Sequence, residues 1–324
     1  MIVADRGDAG LRLDLVLRRH LTGVPRATRT RVQAWIEDGL VRVNDAPVRR
    51  VSTRAACGDV VSIALPGVDP GGTPMAPEPA AIDVLYEDDV MLVVDKPAGV
   101  VVHPAHRNRT GTLMNALLWH ARAWAGGQRP SLVGRLDRLT SGLVVVARSA
   151  PAHKALQAAM ASDATVKEYL ALVYGRVNAA RGEIDLCLRR DPGDRRRVVA
   201  SAGVGAPSLT RFERLARGSA SQAGLSLLRC RLVTGRTHQI RVHLAARGWP
   251  IVGDPTYGAP RWREIGDPVV AAALRDFPRQ ALHAWRLTIR HPLTGEALAL
   301  ESPIPPDLDA LLRCCGVTHS VFSG

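Results

Sequence analysis

The chain has 324 residues, with 43 Lys and Arg against 30 Asp and Glu, a formal charge of +13 and 46% hydrophobic residues. That length suggests about two domains with a sizeable core, and the positive excess points to an anionic polymer, most often nucleic acid. Five cysteines without a C-x-x-C pair exclude a disulfide framework or thiolate zinc site, and no apolar run approaches a membrane span; a cytoplasmic monomer with no membrane partner is expected.

Residues 1–66 read as a small basic module. Leu13, Leu17 and Leu21 recur at helical spacing, predicting a helix over Leu11 to Leu21. Thr28 or Thr30 can cap a second helix with an apolar stripe of Val32, Trp35 and Ile36, and Gly39 stops it. Short strands follow, Leu40 to Val43 and Val60 to Leu65, with a turn at Asn44-Asp45. The order of these elements, with Arg12-Leu13-Asp14 and Gly39-Leu40-Val41-Arg42-Val43-Asn44, resembles the S4 RNA-binding domain. That resemblance implies that Arg26, Arg29 and Arg31 contact phosphates, supplying affinity but little sequence information. Residues 67–80, rich in Pro, Gly and small side chains, read as a linker.

Residues 81–311 read as one body, with 312–324 as a tail. Ile82 to Val102 holds a strand, an acidic turn, a second strand Val90 to Val94 and a turn at Lys96-Pro97-Ala98-Gly99. Gly111-Thr112-Leu113 opens a helix. His103, His106 and His120 lack acidic or Cys neighbours at zinc spacing, so no metal is expected. Val133 to Ser149, VGRLDRLTSGLVVVARS, is a polar loop feeding a buried strand. In that loop Asp137 stands between Arg135 and Arg138. Nearby guanidinium charge favours an ionised carboxylate, a nucleophile or base; taken locally, the same residues also suit a surface ion pair. Ala152 to Ala161 reads as a helix, and Val166 to Val173 alternates as a strand with Lys167, Tyr169 and Ala171 on one face. Residues 181–217 look β-rich, Leu225 to Val233 is a strand, and Thr234-Gly235-Arg236-Thr237-His238-Gln239-Ile240-Arg241-Val242-His243 makes a turn and a helix start. His238, Gln239 and His243 suit hydrogen bonding better than metal binding.

Gly134-Arg135-Leu136-Asp137, Asp95-Lys96-Pro97-Ala98-Gly99, Lys167-Glu168-Tyr169, the Thr234 to His243 run and Pro250-Ile251-Val252-Gly253-Asp254-Pro255-Thr256-Tyr257-Gly258 together resemble the RluA-type pseudouridine synthases. The likeness runs from Leu11 to about Pro306. It implies an α+β pseudouridine synthase fold, a mixed, mostly antiparallel sheet with flanking helices, preceded by a small α/β S4 domain. It implies isomerisation of uridine in RNA without a cofactor. Asp137 would be the catalytic nucleophile or base, Arg241 its ion-pair partner, and Tyr169 would stack on the flipped base and act in proton transfer at C5. Arg135 would steer the flip, Ile251 would form an apolar wall, and Arg236 and His238 would meet the substrate. Whether Asp137 attacks base or sugar, or deprotonates the sugar, stays open. Two departures are visible: Gly134 stands where many members have His, and Gly203 to Pro207 replaces a common G-K-x-A. The S4 likeness tilts the substrate toward large-subunit ribosomal RNA over transfer RNA. A non-catalytic RNA-binding or ribosome-assembly factor is the other reading.

Overall fold

The computed structural model describes residues 2–5, 7–21, 27–64, 75–103, 110–194, 197–218, 224–259 and 261–316. The chain divides into two compact units, Met1–Pro74 and Met75–Gly324.

The first unit holds β1 (Ile2–Val3), α1 (Leu13–His20), α2 (Arg29–Glu37), β2 (Val41–Val43), β3 (Ala46–Val48) and β4 (Val60–Ile63). Its antiparallel sheet runs β1-β4-β2-β3. Leu13 and Leu17 of α1 meet Val32, Trp35 and Ile36 of α2 over Val41 and Val61, which is the stripe the helical spacing predicts. Thr28 caps α2 by accepting from the Arg31 N–H. Asp14 is buried on α1 and accepts from Arg12 (3.0 Å) and from Gln33 of α2 (2.9 Å), so the two helices share one satisfied charge. Asn44 and Asp45 both take positive φ, 48° and 63°, and make the two-residue turn of the β2–β3 hairpin.

The second unit contains, in chain order, β5 (Asp83–Glu87), β6 (Met91–Lys96), α3 (Leu113–His120), β7 (Ser131–Leu132), β8 (Ser141–Ala147), α4 (Ala150–Ala161), β9 (Val166–Tyr174), β10 (Arg181–Asp185), β11 (Cys187–Arg190), β12 (Val198–Ser201), β13 (Leu209–Arg217), β14 (Leu225–Leu232), α5 (Gln239–Ala246), α6 (Pro268–Asp276), β15 (Leu282–Arg290), β16 (Ala297–Glu301) and α7 (Pro306–Cys314). The main sheet runs β10-β13-β14-β9-β15-β8-β6-β5, with β16 on β15 and β7 on β8. Every pair in it is antiparallel except β15–β8. Strands β6 and β8 carry unbroken apolar runs, Met91 to Val94 and Leu143 to Ala147, because both faces are covered. Leu92, Val94, Val144 and Val146 pack under α3, while Met91, Val93, Leu143 and Val145 face α4 and β15. The parallel contact is close: at Gly142, with φ +111°, a Cβ would stand 2.1 Å from the Ala284 carbonyl oxygen. Only glycine lets β8 begin there, directly after the Asp137 loop.

Two boundaries differ from the sequence reading. Residues 75–80 were expected in the linker, yet they lie on the second unit. Asn115 Nδ2 donates to Ala76 O (2.9 Å), and Glu78 joins the Asn115 carbonyl and the Gly111 N–H. Backbone polar groups next to a helix start are satisfied there, so the segment is tied down. The expected tail begins inside α7, where Leu312 and Cys315 are buried; its apolar spacing packs against α6 rather than ending at residue 311.

Candidate active site

Asp137 sits in the loop between β7 and β8, and this loop is pinned from beneath. Its own carbonyl accepts from the Thr140 N–H (3.1 Å), closing a turn. The next carbonyl, that of Arg138, accepts from the Gly99 N–H (2.8 Å) and from Lys96 Nζ (3.2 Å). Lys96 is fully buried at the end of β6 and also donates to the Pro97 and Val100 carbonyls. Burial pushes its ammonium down to about 8, with Arg279 adding to the effect. Thr140 is held in turn by Gln280 (2.9 Å).

Arg241 reaches the loop from the first turn of α5. Its Nη1 donates to Asp137 Oδ2 at 2.7 Å, while Nε and Nη2 fork onto Asp254 at 2.7 and 2.8 Å. Burial alone would lower the basicity of Arg241, but the bonds and charge of Asp254, then Asp137, hold it above its ordinary value. Asp254 is buried, and its carboxyl lies below the usual range because Arg241 and the Tyr257 and Thr256 N–H groups outweigh desolvation. The pair is therefore a charged, fully bonded network around one guanidinium.

Gln239 fixes the turn before α5. Its Oε1 accepts from Thr234 Oγ1 and the Arg236 N–H, and its Nε2 donates to Leu209 O and Thr210 Oγ1 on β13. His238 follows that turn in the left-handed region, φ 57°. Its Nδ1 lies 2.8 Å from Tyr257 Oη and its Nε2 3.7 Å from Asp137 Oδ1. Burial, with Arg241 and Arg135 nearby, holds the imidazole below its ordinary pKa against the pull of Asp137 and Asp254.

A cavity of ≈ 260 Å³ opens over these groups, lined by Asp137, Tyr169, His238, Arg241, Arg135 and Arg236 among others. It is a little smaller than drug-sized ligand pockets of about 300–1,000 Å³. Tyr169 projects from β9, between Cys230 of β14 and Ala284 of β15. Burial and then the charge of Asp137 push its phenol up to about 12, so it stays neutral. Arg135 is exposed and spans to the α5 loop, donating to Thr237 Oγ1 at 2.9 Å.

The expected residues Asp137, Tyr169, Arg241, Arg135, Arg236 and His238 thus surround one cavity. Ile251 does not line it. It pairs with Val173 beside β9 and is 1% exposed in the core with Leu172 and Leu282; the apolar lining comes from Leu136, Leu232 and Leu282 instead. Arg29 and Arg31 belong to the first unit. Arg29 is exposed 3.5 Å from Asp14, and Arg31 lies 5.8 Å from the Trp35 ring. Arg26 and His106 lie outside the described residues. Asp254 and Lys96 were not singled out from sequence, although both stand in quoted motifs. Among the described residues the one cluster with metal-ligand spacing is Asp5, Asp8 and His20, and Arg19 already pairs with both of its carboxylates.

Residues 90–246 match the family model described as RNA pseudouridylate synthase. The chain is 42% identical over 306 residues to a ribosomal large subunit pseudouridine synthase D of Neisseria meningitidis serogroup A, covering 94% of this chain and 78% of that one. It is 40% identical to the protein of the same name from Nitrosomonas europaea, covering 97% and 88%. Among solved structures it is similar to human RNA pseudouridylate synthase domain containing 1, with TM-score 0.55, 29% identity and coverage of 72% and 90%.

Proposed function

The chain belongs to the RNA pseudouridine synthase family, enzymes that isomerise uridine in RNA, and on that premise we propose that Asp137 does the chemistry on a uridine of large-subunit ribosomal RNA. The observation that carries this reading is the Arg241–Asp137 ion pair at the floor of the cavity. The names of the relatives support ribosomal RNA of the large subunit as the substrate.

Uridine and pseudouridine are isomers. The N1–C1′ bond breaks, a C5–C1′ bond forms, and the proton on C5 is exchanged for one on N1. C5 and C1′ meet only after the base leaves its stack and turns, so the uridine is flipped into the cavity. Unstacking costs a few kcal/mol; Arg135, which is exposed and lines the cavity, fills the vacated space or steers the flip. The Tyr169 ring offers an aromatic face to the uracil. Asp137 attacks the base or sugar, or takes a proton from the sugar; Arg241 orients it in each case. Tyr169, kept neutral by burial, relays the C5 proton: its oxygen accepts that proton as its own O–H proton is given to N1, so the phenol ends neutral. The first unit is an S4-like module that holds the RNA through its arginines. No helix among the described residues is long and apolar enough to cross a membrane; the protein works in the cytoplasm, as a monomer.

The test is pseudouridine mapping by selective chemical labelling of total RNA from cells with and without the gene. Sites lost on deletion should return with the wild-type chain and stay absent with Asp137→Asn, which should still bind RNA. Restoration by Asp137→Asn would overturn the role of Asp137. No lost site in large-subunit RNA would overturn the substrate.

A further inference from the structure

Arg241 serves one oxygen of Asp137, Oδ2. The other, Oδ1, faces His238 Nε2 at 3.7 Å, too long for a hydrogen bond but the kind of separation that tightens when a substrate fills a site. What His238 can offer Oδ1 depends on its tautomer. A neutral imidazole carries one N–H, and the partner of the other nitrogen decides which.

That partner is Tyr257. Its Oη lies 2.8 Å from Nδ1 and accepts the Val198 N–H of β12 at 2.9 Å. With one lone pair taken by Val198, the phenol's proton has Nδ1 as its acceptor in this set of contacts. The ring of Tyr257 is held as well. Arg241 lies 5.0 Å and Arg197 5.6 Å from its centroid, and His238 meets it edge-on at 5.6 Å and 70°. Three described residues other than glycine have positive φ, and two form the Asn44-Asp45 hairpin turn, where such angles belong. His238 is the third; its costly backbone aims the ring between Tyr257 and Asp137.

We propose that Tyr257 is a positioning residue that fixes His238 as the Nε2–H tautomer, so that the imidazole donates to Oδ1 of Asp137 while Arg241 holds Oδ2. The carboxylate then has both oxygens restrained and only one orientation toward the uridine. The groups facing the imidazole are Asp137, Asp254, Arg241 and Arg135, and burial with the two arginines keeps it neutral, as the donation from Tyr257 to Nδ1 requires.

This inference rests on the role proposed for Asp137, and its test separates the two. Long-range proton–nitrogen correlation NMR of the histidine rings in the full chain reads the tautomer without RNA, with His238 identified by the peak that His238→Gln removes. The wild type should show an unprotonated Nδ1, and Tyr257→Phe a mixture of tautomers. Single-turnover conversion of an unmodified large-subunit ribosomal RNA transcript should slow at least about tenfold in Tyr257→Phe, the scale of a lost bond to a charged group. Its RNA affinity should be unchanged. His238→Gln, which keeps an N–H donor, should retain more activity than His238→Ala; this comparison serves if Tyr257→Phe does not fold. A protonated Nδ1 in the wild type, a wild-type rate in Tyr257→Phe, or equal losses in the two His238 variants would each overturn the proposal. Activity in Asp137→Asn would instead sink the parent reading and leave the tautomer result standing.

Discussion

Asp254 takes two of the guanidinium donors of Arg241, at 2.7 and 2.8 Å, and so fixes the plane in which the remaining Nη1 meets Asp137. Asp254 is itself clamped by the Thr256 and Tyr257 N–H groups. The Asp137 carboxylate is thus oriented by a second carboxylate that does not line the cavity. Asp254→Asn keeps the shape but turns one acceptor into a donor facing Arg241. Removing one partner of a buried ion pair costs about 3–5 kcal/mol, so the unfolding midpoint in urea should drop. Pseudouridine formation should fall with RNA binding retained. A variant of wild-type rate would mean that Asp137 alone is enough to place Arg241.

Lys96 works on the same loop from the other side. Among the described residues its ammonium is the only side-chain donor to the Arg138 carbonyl, with Pro97 and Val100 as its other acceptors. In Lys96→Met the carbonyls of Pro97 and Val100 lose that donor, at about 1–3 kcal/mol for each group left unsatisfied, while the Gly99 N–H still holds Arg138. The Asp137 loop should loosen without unfolding. Turnover should fall more than KM rises, and amide hydrogen exchange at Arg138 to Thr140 should quicken. Unchanged exchange there would show that the loop stands without Lys96.

These two residues mark the limit of what sequence reasoning reached. Asp137 and Arg241, 104 positions apart, could be paired from sequence because each sits in a long motif that resembles the RluA-type synthases, and that likeness implies the pair. Asp254 was not, because an Asp inside Gly-Asp-Pro looks like a turn former; only the fold brings that turn under α5. Lys96 follows a strand, and a lysine there ordinarily faces water. Strand β6 is covered on both faces, so no alternation warned that Lys96 points inward. The reverse happened at Ile251, whose apolar side chain suited a wall but whose bridge to Val173 draws it into the core. The helices of the first unit were readable from leucine spacing and the Thr28 cap, and the mostly antiparallel sheet came with the family likeness. The parallel β15–β8 contact was not readable, because nothing local announces a pairing set by Gly142 and Ala284.

His283 predicts an acid limit to stability. It is fully buried where β8 and β15 meet, with Nδ1 on Ser141 Oγ at 3.0 Å and Nε2 on the Ser302 carbonyl at 3.3 Å. Burial pushes its pKa down to about 4. In the unfolded chain the imidazole titrates near its ordinary value of about 6.5. Between those values the unfolded state binds the extra proton, so stability rises with pH there. The contribution is complete above about pH 6.5 and is lost as pH falls toward 4, up to about 3 kcal/mol. Urea unfolding at pH 7 and pH 4.5 should show a larger loss in the wild type than in His283→Gln. Equal losses would remove His283 from the account.

The first unit should reveal itself through salt. Arg29 is exposed on α2, and Arg31 follows it by two positions. Each phosphate contact contributes about 0.7 to 0.9 to the slope of log K against log salt. In the full chain, Arg29→Ala with Arg31→Ala should therefore lower the slope by about 1.4 to 1.8 if both touch phosphate. The loss should be nearly the same for modified and unmodified transcripts, because backbone contacts carry no base identity. Deleting residues 1–74 should lower the slope further and weaken binding at every salt concentration. Filter-binding titrations over a series of potassium chloride concentrations measure both. A slope unmoved by the double substitution would take these arginines off the RNA and leave the binding charge to the catalytic unit, where Arg135 and Arg236 already stand at the cavity mouth.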